Sequence, residues 1–222
     1  MRLSMLPELT LPLLKASAKD FAHELSSEPI SDLFGTTDGK AVGTYVEQKF
    51  RRYLESRFSF IPGNSASGID IPELQVDLKA TSVTQPQSSC PFKDASQKVY
   101  GLGYHLLVFV YNKTDDPAAQ AANLNILHVV FVERGQTADW QTTKGIVDIL
   151  DRAGNKDDLV AFLEERNLPL DEIGRNQLAE RILHNRPGIG YLTISNALQW
   201  RLQYARVIGV AGKVEGVEDL HV

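Results

Sequence analysis

The chain has 222 residues, 43% of them apolar and 23% charged, a balance that excludes wholesale disorder and fibrous repeats and suits one domain, or one domain with an insertion. A single cysteine, Cys90, excludes an intrachain disulfide and a cysteine-based zinc cage, and fits a reducing cytoplasm. The net charge of −5 weighs against a protein that coats nucleic acid indiscriminately, because neutralising phosphates needs Lys and Arg.

The opening segment MRLSMLPELTLPLLKAS lacks an apolar signal core followed by a small-residue cleavage site, so no leader is expected. The first long periodic segment is Thr37–Phe58. Val42, Val46, Phe50, Leu54 and Phe58 recur every four residues, Tyr45 and Tyr53 widen the stripe, and Thr37 or Asp38 can cap its start, which predicts an amphipathic helix. A small-residue loop, Gly63–Gly68, follows. From Leu74 to Ala80 the chain alternates: Leu74, Val76, Leu78 and Ala80 face one way, and Gln75, Asp77 and Lys79 the other, which predicts a half-buried strand. After a polar, proline-containing loop, Ala95–Leu102 predicts a short helix ended by Gly101 or Gly103. Tyr104–Tyr111 and Asn125–Glu133 predict buried strands separated by a polar loop, Asn112–Ala122. Both are of strand length, far short of the roughly 18 apolar residues of a membrane span. Gly145–Leu150, Lys156–Arg166, Leu170–His184 and Ser195–Val207 predict helices. The order implies a mixed α/β (α+β) domain with a helical C-terminal third.

Charge is distributed unevenly. Gly174–Arg206 holds five arginines (Arg175, Arg181, Arg186, Arg201, Arg206) against Glu180, a net of +4, whereas Gly145–Glu172 carries −5. The basic segment is the natural side for a polyanion, although its arginines can equally pair with the acidic segment beside it. No glycine-rich phosphate loop is present, and the five histidines are scattered. His105 and His128, inside apolar strands, read as packed side chains rather than ligands.

The informative constellation is Asp77-Leu78-Lys79. Residues i and i+2 of a strand project from the same side, roughly 6.6 Å apart, so a metal-binding carboxylate and a lysine that stabilises negative charge can serve one reaction centre. Asp70 lies across the Pro72 turn, where the chain can bend back beside Asp77. Converging carboxylates repel unless a cation lies between them, and hard oxygen donors favour magnesium. Glu47 sits at the edge of the buried stripe of its helix, where an acid can point over the sheet. Taken singly, each residue has an ordinary structural explanation: a solvated strand face, a turn aspartate, a surface helix acid. Their order gives the pattern its meaning.

That order resembles the PD-(D/E)XK nuclease superfamily, to which many type II restriction endonucleases belong, with Ile69 where the superfamily carries its leading proline. Gly43-Thr-Tyr-Val-Glu47 followed by Asp70, six residues, then Asp77-Leu-Lys79-Ala is similar to the branch that includes the mismatch-repair nicking endonucleases and their restriction-enzyme relatives. The resemblance covers about 38–133. It implies a restriction-endonuclease-like core of mixed sheet and flanking helices within a single nuclease domain over 1–222, with a helical region at about 145–210. It further implies Asp70, Asp77 and the Leu78 carbonyl as ligands of Mg2+ (Mn2+ substituting), Lys79 orienting the attacking water, and Glu47 acting through the metal or a water. The reaction implied is hydrolysis of double-stranded DNA to 5′-phosphate and 3′-hydroxyl ends by a cytoplasmic homodimer with no membrane association. Gln85, Gln87, Ser88 and Ser89 are candidates for base edges, and Lys93, Lys98, Arg181, Arg186 and Arg201 for phosphates. Cys90, Trp140 and Trp200 read as packing residues. The competing readings are a strand-nicking repair nuclease, a non-catalytic DNA-binding module, and a two-carboxylate glycosidase, in which Lys79 would have no role.

Overall fold

A computed structural model describes residues 6–63, 68–90, 93–195 and 200–221. The chain enters through a helix, α1 (Leu11–Ser27), with proline in its first turn, where no N–H is needed. A short strand, β1 (Pro29–Ile30), precedes α2 (Gly39–Glu55), capped by the Asp38 side chain on the Lys40 N–H. Next come β2 (Val76–Ser82), β3 (Gln87–Cys90), the single turn α3 (Gln97–Tyr100), and the long hairpin β4 (His105–Asp116) and β5 (Ala121–Val132). The helices α4 (Trp140–Asp151), α5 (Lys156–Glu165) and α6 (Glu172–His184) follow, then β6 (Thr193–Ile194), β7 (Trp200–Gln203), α7 (Ala205–Val210) and β8 (Val217–Asp219).

The main sheet has the order β1-β5-β4-β2, with β8 also on β5. β2 runs parallel to β4, and β4 antiparallel to β5. This mixed sheet is the expected architecture. Its two faces are covered differently. Leu78, Leu107, Phe109 and Phe131 pack with the apolar stripes of α1 and α2 (Leu14, Phe21, Val46, Phe50, Leu54). Leu106, Val108, Val110 and Val130 pack on the other face with a small second sheet of order β3-β7-β6 and with Val207 of α7. A third cluster, around Ile146, Leu159, Leu163 and Ile182, holds α4, α5 and α6 together. Among the described residues no helix is long and apolar enough to cross a membrane.

Several expectations are corrected. The segment 195–207 is not one helix: residues 196–199 lie outside those described, Trp200–Gln203 is a strand, and a helix begins only at Ala205. The period of two in Arg201-Leu202-Gln203-Tyr204, with Leu202 and Tyr204 buried and Arg201 and Gln203 exposed, dominates the helical pattern. The polar stretch Asn112–Ala122 is mostly hairpin, with β4 and β5 paired out to Asp116 and Ala121, because ladder hydrogen bonds do not depend on apolar side chains. The strand expected from Leu74 starts at Val76. Pro72–Leu74 is a 3-10 turn, Gln75 is left-handed (φ 53°), and Asp77 is buried rather than facing solvent.

Candidate active site

β2 pairs with β4 on one side only, so alternate N–H and C=O groups point out of its other edge. Carboxylates meet the two outward N–H groups at the centre of this edge. The Leu78 N–H donates to Asp70 Oδ2 (3.0 Å) and the Ala80 N–H to Glu47 Oε1 (3.1 Å). Each acid reaches the edge for a local reason. The Ile71–Val76 loop closes on itself through Ile71 N–H to Val76 O (2.9 Å) and Val76 N–H to Ile71 O (3.1 Å), folding Asp70 back beside Asp77. Gly43, one turn before Glu47, lets α2 approach: a Cβ there would lie 3.0 Å from the Ala80 carbonyl oxygen.

Asp77 and Lys79 project from the face opposite Leu78, toward the second sheet. The Lys79 ammonium donates to Asp77 Oδ2 (2.6 Å) and to the Leu78 carbonyl (2.9 Å). Arg51, one turn beyond Glu47 on α2, pairs with Asp70. Burial pushes Asp77 up to about 7 against the pull of Lys79, and a hydrogen bond with Asp70 adds to the rise. Burial also raises Asp70, but the bond from Asp77, the Leu78 N–H and the cations Lys79 and Arg51 outweigh it and hold Asp70 below the usual carboxylate range. Asp77 is thus held up and Asp70 down beside one another, and a divalent cation between the two carboxylates would relieve their repulsion. Glu47 is raised to about 7, first by burial. Burial opposes the charge on Lys79, yet Asp77, Glu47 and Asp70 keep it above its ordinary value.

The four expected catalytic residues therefore converge. Among the described residues no three His, Cys, Asp or Glu side chains form a metal cage by themselves. The residues that could hold a cation are Asp70 and Asp77, with the Leu78 carbonyl beside them; one Glu47 oxygen is committed to Ala80. Arg51 was legible only as Glu47-x-x-x-Arg51 on one helix face, the i, i+4 spacing that brings side chains together. Tyr204, which is fully buried, and Tyr104 lie behind Asp77 and had no separate signal.

The candidate DNA contacts divide. Gln85, Ser89, Lys93 and Arg201 are exposed and Gln87 is half-buried. Ser88 instead points inward, its hydroxyl bonded to the Tyr204 hydroxyl. Lys98 is 1% exposed, which removes it from any phosphate. Arg186 pairs with Asp151 (2.7 Å), Arg175 with Glu164 (3.8 Å), and Lys156 crosses from α5 to Glu180 (2.7 Å). Arg181 lies over the Tyr100 ring (4.3 Å) and Arg206 over that of Trp140 (3.7 Å). Arg181 and Arg186 stay exposed while making these contacts. His105 accepts the Arg134 N–H (3.1 Å) and stacks on Phe131, a packed role as expected. Cys90 is buried, and burial raises its thiol pKa; the side chain of Trp200 lies outside the described residues.

The family model for the type II restriction enzyme NspV matches residues 8–219. The type II restriction enzyme NspV of Nostoc sp. (strain ATCC 29411 / PCC 7524) is 57% identical over 209 residues, covering 94% of this chain and 95% of that protein. No solved structure matches the chain.

Proposed function

Because the chain belongs to the family of the type II restriction enzyme NspV, we propose that it is a sequence-specific endonuclease of double-stranded DNA, dependent on Mg2+, whose centre is Asp70, Asp77 and Lys79 at the open edge of β2. The observation that carries this reading is the convergence of Asp70, bonded to the Leu78 N–H, with Asp77, an outward carbonyl and a lysine on one strand edge. It supports a PD-(D/E)XK site within a single nuclease domain, with the catalytic core at about 38–133. Membership in a restriction-enzyme family weighs against the strand-nicking and non-catalytic alternatives.

Asp70, Asp77 and the Leu78 carbonyl form an all-oxygen donor set suited to Mg2+, with Mn2+ a substitute. When bound, the metal offsets the charge that develops on the scissile phosphate. The chain's own groups do the rest. Arg51 and the Leu78 N–H fix the Asp70 carboxylate. The Lys79 ammonium, already donating to Asp77 and the Leu78 carbonyl, stands where it can orient a water or stabilise negative charge. Glu47, anchored on the Ala80 N–H, acts through a water. The reaction is in-line attack of water on phosphorus, leaving a 5′-phosphate and a 3′-hydroxyl. Cutting both strands of a palindrome calls for two such centres related by a two-fold axis, hence a homodimer, and the buried thiol of Cys90 suits a reducing cytoplasm.

The test is incubation with long duplex DNA and Mg2+, followed by sequencing of the ends. Discrete fragments with one recurrent end sequence are expected. Nicks alone, or binding without cutting, would overturn the reading.

A further inference from the structure

The outer face of the β3-β7-β6 sheet has no role in the chemistry described so far, yet it is built differently from the rest of the surface. Its register pairs Gln87 with Gln203, Ser89 with Arg201, and Thr193 with Gln203. These five side chains share one face. Cys90, Leu202 and Ile194, on the other face, are buried in the core that the two sheets share. Arg201, Gln203 and Ser89 are exposed and Gln87 and Thr193 half-buried. The face carries one cation and no carboxylate, and among the described residues no acid pairs with Arg201. In a chain of net charge −5 this is a surface on which a polyanion meets no repulsion, offering amide, hydroxyl and guanidinium groups.

The sheet is also held rigidly against the catalytic strand. The Gln87 N–H donates to Thr81 Oγ1 on β2 (3.0 Å), and the Tyr204 N–H donates to the Pro86 carbonyl (2.8 Å). The Tyr204 hydroxyl, beneath β3, is bonded to Ser88. Thr81 lies two residues after Lys79, so the outer face and the catalytic edge share one strand as their ruler.

From these observations, and resting on the endonuclease reading above, the geometry points to the outer face of β3-β7-β6 as the sequence-reading surface, with Arg201, Gln203 and Gln87 contacting base edges in the major groove. The major groove admits a two-stranded β-ribbon. Arg201 and Gln203 are two residues apart on β7 and so about 6.8 Å apart, which matches roughly two base-pair steps of about 3.4 Å. The side chains have the right chemistry, since a guanidinium presents a fork to the O6 and N7 of guanine, and a glutamine amide matches the N6 and N7 of adenine. Ser88 is assigned to the support of this face rather than to DNA.

The experiment digests a duplex library with randomised positions, using the full-length protein and Mg2+, and sequences the ends for wild type, Arg201→Ala, Arg201→Lys, Gln203→Ala and Gln87→Ala. Melting temperatures check folding, and affinity in Ca2+ is followed against salt. Arg201→Ala and Gln203→Ala are each expected to slow cutting of the wild-type sequence by about 5- to 150-fold. They should relax preference at a particular base pair and its symmetry mate, and leave the salt slope unchanged. Arg201→Lys keeps the charge but loses the fork, so it should behave like Arg201→Ala. If Arg201→Lys restores wild-type behaviour, or Arg201→Ala weakens binding to all sequences alike while lowering the log–log salt slope by about 0.9, the face binds phosphate and the inference fails. Unchanged cut sequences in all the variants also overturn it while leaving the endonuclease reading intact. Absence of discrete cutting by the wild type overturns that reading and this inference with it.

Discussion

Glu47→Gln separates the part of Glu47 that serves the fold from the part that serves the chemistry. Glutamine keeps an oxygen for the Ala80 N–H, which Glu47 receives at 3.1 Å, but it cannot ionise. In the folded chain Glu47 is raised from 4.5 to about 7, chiefly by burial. A carboxyl raised on folding contributes stability that is present below its unfolded pKa and is lost as pH rises through the folded one. Between pH 5 and 8.5 the wild type should therefore lose about 2.5 kcal/mol that the variant does not, nearly all of it below pH 7, at about 1.36 kcal/mol for each pH step crossed between the unfolded and folded values. For a chain of this length that gap corresponds to roughly 5–10 °C in Tm. The assay is thermal unfolding of both proteins in excess chelator at several pH values, read as the difference between them, so that other titrating groups cancel. The variant should gain on the wild type from pH 5 up to about pH 7 and level off above it, and Mg2+ should then raise the Tm of the wild type more than that of the variant. Parallel curves would refute the argument, because they would mean that Glu47 ionises in the fold as freely as in the unfolded chain.

Asp77→Asn should abolish cleavage, by roughly 10²-fold or more, while the fold persists, as followed by end-labelled cutting assays and Tm; near-normal cutting would sink the metal assignment. Ca2+ should support binding with little cutting, since it accepts looser geometry than Mg2+, and gel shift against cleavage in each ion checks this. Gly43→Ala gains up to ~1 kcal/mol of helix propensity but pushes α2 off the Ala80 carbonyl. Its expected signature is cleavage lowered by up to about tenfold with Tm within a few degrees of wild type. Tyr204→Phe strands the Ser88 hydroxyl and should lower Tm by an amount corresponding to ~1–2 kcal/mol.

The strand β2 and the helix α2 were legible because each obeys a local rule. The stripe Val42, Val46, Phe50 and Leu54 is buried as periodicity predicts, and proline at 72 does turn Asp70 back toward Asp77. The degree of burial was not legible. Alternation marks Asp77 as a solvent-facing position, but the second sheet packs over that face, and a sheet assembled from distant segments leaves no trace in a window of ten residues. The same long-range pairing turned the expected C-terminal helix into β7, whose partner β3 lies more than a hundred residues earlier. α1 was not read from the sequence, although Leu14, Ala18, Phe21 and Leu25 form a helical stripe, and nothing in that stripe tells of its place over β5. The arginine-rich segment shows the limit of charge counting: the sum of +4 is correct, but Arg175 and Arg186 are matched by acids on neighbouring elements.

The open edge of β2 has a consequence for solubility. An unpaired strand with outward N–H groups is a template on which a strand of another molecule can grow. Here Asp70 and Glu47 occupy the two central donors and surround them with charge, so the acids that would serve hydrolysis also keep this edge from recruiting a stranger. Variants that remove both, such as Asp70→Ala combined with Glu47→Ala, would be more than inactive: they would expose a bare β edge beside apolar Val76 and Leu78. Even a chain without this chemistry would need something polar at positions 47 and 70 to keep the edge covered.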